Sequence, residues 1–134
     1  MKYILTIAIL FFSGNSISKE ITPCDNPKGR SGQAACFKYQ YEKEEIKLNE
    51  TYKDLVEFSK SHFNVGSKTG ENVANTLMAS QQEWEEYRDT YCEYKYDTYY
   101  PGSGAYNRKI YCKLKITRAR LKELTKEYDF WLSR

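Results

Sequence analysis

Four cysteines, at positions 24, 36, 92 and 112, constrain the fold of this chain more than any other feature, because three of them border segments with helical periodicity. The first segment runs from Ala34 to about Lys60. It places Phe37, Tyr41, Leu48, Tyr52 and Leu55 on one face, with Glu and Lys outside. The second runs from about Glu71 to Tyr94, uses Val73, Leu77, Trp84 and Tyr91, and reaches Cys92 near its end. The third begins near Lys109 and has the cleanest pattern: Ile110, Leu114, Thr117, Leu121, Leu124, Tyr128 and Trp131. Pro23, Pro27, Gly29 and Gly32 make 19–33 an irregular lead-in, and Gly66 and Gly70 mark a turn between the first two segments. No stretch of comparable length alternates like a strand, and there is no internal repeat. The expected fold is all-α, a small antiparallel bundle of three principal helices.

If successive helices run antiparallel, the start of the first, the end of the second and the start of the third share one pole. Cys36, Cys92 and Cys112 occupy those ends, and Cys24 can fold back to them. Two disulfides at that pole are expected. Three pairings are open; Cys24–Cys36 with Cys92–Cys112 is preferred, because each closes a local loop through flexible residues. Each bridge of that length stabilises by roughly 3 kcal/mol on the loop-entropy model. A metal site is not expected: there is no CxxC pair and only one histidine, His62.

Lys2 followed by the apolar run Tyr3 to Phe12 has the form of a signal peptide, with Ser16 and Ser18 before a cut placed after Ser18. The run is too short to span a bilayer. Ile21-Thr22-Pro23 is a poor lipid-attachment context for Cys24, so a soluble periplasmic or secreted product is expected. Four cysteines suit such an oxidising compartment. Residues 34–134 then form a single helical domain. Removal of Lys2 takes the formal charge from +3 to +2, which gives no reason to expect nucleic acid or an anionic membrane as partner.

Catalytic constellations are thin. His62 has no paired nucleophile, and Glu44-Glu45 and Glu85-Glu86 fall on charged outer faces. Gly102-Ser103-Gly104 lacks the lysine of a phosphate loop, and the sequon Asn49-Glu50-Thr51 lies mid-helix beside the apolar seam. A binding protein without enzymatic activity or cofactor is expected. Glu45, Asn49 and Tyr52 share a face of the first helix; with Arg88, Thr117 and Arg118 they are candidates for a cross-helix polar network. The segment 93–108 offers Tyr94, Tyr96, Tyr99, Tyr100 and Tyr106 interleaved with Gly102, Ser103, Gly104 and Asn107. Tyrosine with small adaptable residues is the composition of a recognition loop, so Tyr94, Tyr96, Tyr99, Tyr100, Ser103 and Tyr106 are the candidate partner-binding residues. The alternative role for these tyrosines is to cover the stapled pole.

The line Cys24, Cys36, Glu45-x-x-Leu48-Asn49-x-x-Tyr52-x-x-Leu55, Gln81-x-x-Trp84-x-x-Tyr87-Arg88-Asp89-x-x-Cys92, Gly102-Ser103, Cys112, Thr117-x-x-Arg120-x-x-x-Leu124 resembles the LprI-like family of lysozyme inhibitors. Glu45 stands where an aspartate is more usual, and Arg118 lies beside Thr117, so both Arg118 and Arg120 are candidates for the motif arginine. Trp84 and Asp89 join the structural set through this motif. The resemblance implies a small disulfide-containing bacterial envelope protein and a protein partner, with lysozyme as the candidate. A net charge of +2 gives no global steering toward basic lysozymes, although Glu83, Glu85, Glu86 and Asp89 form a local acidic cluster. The leading expectation is steric occlusion of lysozyme by a monomer or weak dimer. The alternatives are an envelope interaction or stress module without lysozyme activity, and a carrier of a small apolar ligand.

Overall fold

The computed structural model describes residues 20–134; the leader and its cut after Ser18 lie outside the described residues. Three long helices dominate: α1 (Gly29–His62), α2 (Gly70–Asp97) and α3 (Ala105–Leu132). A two-residue hairpin, β1 (Asn64–Val65) with β2 (Lys68–Thr69), joins α1 to α2, pairing Asn64 with Thr69 and Val65 with Lys68. Gly66 turns the tip at φ +60°, a conformation glycine adopts without strain. Thr69 then caps α2 through a reciprocal pair: its hydroxyl accepts from the Asn72 amide, and the Asn72 side chain accepts from the Thr69 amide.

The bundle is antiparallel from helix to helix, so α1 and α3 run in the same direction with α2 opposed. Phe37 meets Tyr111 at one pole, and Phe58 meets Tyr128 and Phe63 meets Trp131 at the other. The bridges are Cys24–Cys36 and Cys92–Cys112, the expected pairing, and both lie at the first pole. Leu48, Leu55 and Leu124 form the apolar core, flanked by Tyr52, Leu77, Trp84, Leu121, Tyr128 and Trp131. Gly70 brings the start of α2 against the end of α1. A β-carbon there would collide with the carbonyl oxygens of Lys60 and Ser59.

Four sequence expectations need correction. Helix α1 starts at Gly29 rather than Ala34, because Arg30 and Cys36 hold its first turns to the pole in spite of the glycines. Helix α2 runs on to Asp97 and α3 begins at Ala105, which is buried, so the supposed loop 93–108 shrinks to 98–104. The ion pair Lys109–Glu93 ties those two helix ends together. Last, the inward stripe of α2 is Ala74, Gln81, Arg88 and Cys92, and Tyr91 lies outside it, 37% exposed. The stripe keeps helical spacing but is mostly polar; of the apolar positions, Leu77 and Trp84 pack on the core beside it and Tyr91 faces out.

Candidate functional site

The middle of the bundle sets a charged network beside its buried leucines. Arg88, only 6% exposed, donates from Nη1 to Glu45 Oε1 (3.0 Å) on α1 and to Thr117 Oγ1 (3.5 Å) on α3, and from Nε to Asp89 Oδ1 (2.8 Å). The Tyr41 hydroxyl donates to Glu45 Oε1 at 2.6 Å, and Lys113 pairs with Asp89 at 3.0 Å. One turn further along α3, buried Arg120 donates to Gln81 Oε1 (3.2 Å), Ser80 Oγ (3.2 Å) and Glu123 Oε2 (2.9 Å). The Trp84 ring is near both guanidinium groups, 4.9 Å from that of Arg88 and 5.9 Å from that of Arg120. Among the described residues no buried side-chain nitrogen or oxygen lacks a hydrogen-bond partner. A network so satisfied fixes helix register.

Burial and the hydrogen bond to Glu45 both raise the Tyr41 pKa above its ordinary value, so the phenol stays a donor. For Asp89, burial works toward a higher value, but the hydrogen bonds from Arg88 and Lys113 outweigh it and the carboxyl is lowered from 3.8. A lowered folded-state pKa adds stability above the ordinary carboxylate value, and that stability is lost as pH falls through the lowered value. Asp89→Asn is therefore expected to flatten the loss of stability below about pH 4. Its side chain is half exposed, so the difference stays under about 1 kcal/mol, measurable by urea titration across pH.

The sequence-derived residues separate into groups. Glu45, Trp84, Arg88, Asp89, Thr117 and Arg120 meet in the network. Tyr52 instead packs on the apolar core. Asn49 is exposed and stands apart. Arg118 faces outward, donating to Gln40 (3.0 Å) and lying 3.6 Å from Glu44. Arg120 is thus the buried arginine of the Thr-x-x-Arg motif. Tyr41, Ser80, Lys113 and Glu123 were not expected. Only the four-residue spacing from Tyr41 to Glu45 signals one of them, whereas Gln81 is visible in the motif itself.

The stapled pole presents the other candidate surface. Tyr94 is exposed on the last turns of α2, Tyr96 is half-buried, and Tyr99 and Tyr100 stand on the short 98–104 connection, 44% and 68% exposed. Tyr106 is exposed on the first turn of α3. The Tyr96 and Tyr100 rings lie 5.8 Å apart, and the Tyr100–Pro101 peptide is cis. Arg30 of α1 donates to Ser103 Oγ, and the Asn107 amide group donates to the Arg30 carbonyl at 3.0 Å, so α1 braces the connection. Arg108 covers the Tyr99 ring at 3.5 Å. Glu85 and Glu86 are exposed, Glu44 is half-buried, and the described residues include no metal-ligating group of three or more His, Cys, Asp or Glu.

Over residues 24–124 the chain matches the family model described as Lysozyme inhibitor LprI. No curated protein and no solved structure matches it.

Proposed function

We propose that this chain, which belongs to the LprI family of lysozyme inhibitors, inhibits a lysozyme by steric occlusion through its stapled pole. Membership supports a protein partner and the lysozyme class; the pole supports where contact is made. The carrying observation is the exposed Tyr99–Tyr100 turn, closed behind by Cys92–Cys112 and braced by Arg30 and Asn107. Tyrosines held this way offer large contact area with little ordering left to do on binding. A lysozyme cleft holds two catalytic carboxylates, and Arg108, seated over Tyr99, brings a cation beside the same turn. In this reading Tyr99 and Tyr100 fill the cleft, Tyr94, Tyr96 and Tyr106 border the contact, and Ser103 acts by holding the turn through Arg30. The protein performs no turnover of its own.

Extracytoplasmic action follows the family, and the two disulfides are consistent with an oxidising compartment. Among the described residues no helix is long and apolar enough to cross a membrane. The test is a turbidity assay of oxidised protein against several lysozyme classes, beside Tyr99→Ala/Tyr100→Ala. The expected result is dose-dependent inhibition of at least one class, weakened tenfold or more in a variant with unchanged helical circular dichroism. Undiminished inhibition by the variant moves the contact away from the turn. Absence of inhibition in every class removes lysozyme as the target and favours another envelope partner.

A further inference from the structure

Several cations of the middle bundle and pole pair with carboxylates: Lys113 with Asp89, Lys109 with Glu93, Arg118 with Glu44, Arg88 with Glu45 and Arg120 with Glu123. Lys95, Arg108 and Lys115 do not. Each lies over tyrosine rings instead: Lys95 at 4.9 Å from Tyr91 and 5.4 Å from Tyr94, Arg108 over Tyr99, and Lys115 at 5.9 Å from Tyr111. A ring face attracts a cation without cancelling its charge. All three side chains border one open cleft of about 590 Å³, whose walls include Phe37, Tyr91 and Tyr111 and whose lining contains no aspartate or glutamate.

We propose that this cleft binds a small organic anion, a carboxylate or phosphate carried on a flat, ring-sized apolar body. The volume lies within the usual span of small-ligand sites, roughly 300–1,000 Å³. The aromatic walls take the ring by stacking and edge contacts. Three uncompensated cations at the rim select a negative group, and a cationic group on the same body meets repulsion. The charge pattern thereby distinguishes this cleft from a general apolar cavity. The proposal goes beyond inhibition and does not depend on it, because the walls are formed by helix faces and exclude Tyr99 and Tyr100.

Nuclear magnetic resonance titration of the oxidised, isotope-labelled protein tests it with three probes that share one ring system: 2-naphthoate, 2-naphthyl phosphate and 2-naphthalenemethanol. The expected result is saturable binding of at least one anion, with shift changes confined to the surroundings of Tyr91, Lys95, Tyr111 and Lys115. The uncharged alcohol should bind at least tenfold more weakly. Lys95→Glu/Lys115→Glu, at positions outside the core, should keep the fold and abolish that preference. Comparison of the two anions tells a carboxylate ligand from a phosphate one. Equal affinity for alcohol and anions, shift changes scattered over the surface, or no saturable binding would each overturn the proposal.

Discussion

Replacing Cys92 and Cys112 together by serine is expected to lower the unfolding free energy by about 3 kcal/mol, the loop-entropy value for a bridge that closes some twenty residues. The effect is large against the roughly 5–15 kcal/mol that holds a domain of this class. Two features make the bridge important here. It joins the end of α2 to the start of α3, and Cys92 is fully buried beside a pole whose apolar filling is limited to residues such as Ile110 and Leu114. A serine hydroxyl at buried position 92 adds its own desolvation cost. Urea unfolding of both proteins under oxidising conditions checks the value. A loss below about 1 kcal/mol would mean that side-chain packing already holds the pole and that the bridge contributes little beyond it.

The second large effect is expected at Arg88. Arg88→Met keeps much of the side-chain volume and removes a guanidinium that serves all three helices. The acids it leaves behind are not orphaned: Glu45 keeps the Tyr41 hydroxyl, and Asp89 keeps Lys113. Glu45 is also one-third exposed. The cost should therefore fall below that of stranding a fully buried charge, at about 2–3 kcal/mol. In a double-mutant cycle with Glu45→Ala, a coupling of about 1 kcal/mol or more is expected, since the two groups touch. A coupling near zero would assign the loss to packing around Trp84.

Helix α3 was legible from the sequence because its inward residues are mostly apolar: Ile110, Leu114 and Leu124 are buried at the spacing the pattern implies. Helix order brings the cysteines to one pole but leaves three pairings open; the observed one is the pairing in which each bridge closes a local loop. Helix α2 was not legible to the same degree. Beyond Gly70 its buried positions are Ala74, Gln81, Arg88 and Cys92, so the apolar signal came from half-buried Leu77 and Trp84, which pack on the core, and from exposed Tyr91. A polar seam becomes visible only when its partners on other helices are known. Asn49 illustrates the converse, since it shares spacing with Glu45 but faces solvent. The ends of α2 and α3 were hidden by composition: tyrosine, glycine and serine suggest a loop, yet Tyr94 and Tyr96 continue one helix and Tyr106 begins the next.

Neither disulfide crosses from α1 to the α2–α3 pair. Cys24–Cys36 ties α1 to its own lead-in, and Cys92–Cys112 ties α2 to α3. The covalent route from α1 to its partners passes only through the short hairpin at the opposite pole. If that hairpin straightens, α1 can leave its own bundle and enter that of a second copy, remaking the Arg88–Glu45 and Phe37–Tyr111 contacts between chains. Such an exchange breaks no sulfur–sulfur bond. The oxidised chain thus retains a route to an intertwined dimer, and the tight approach at Gly70 is one of the contacts that must open first.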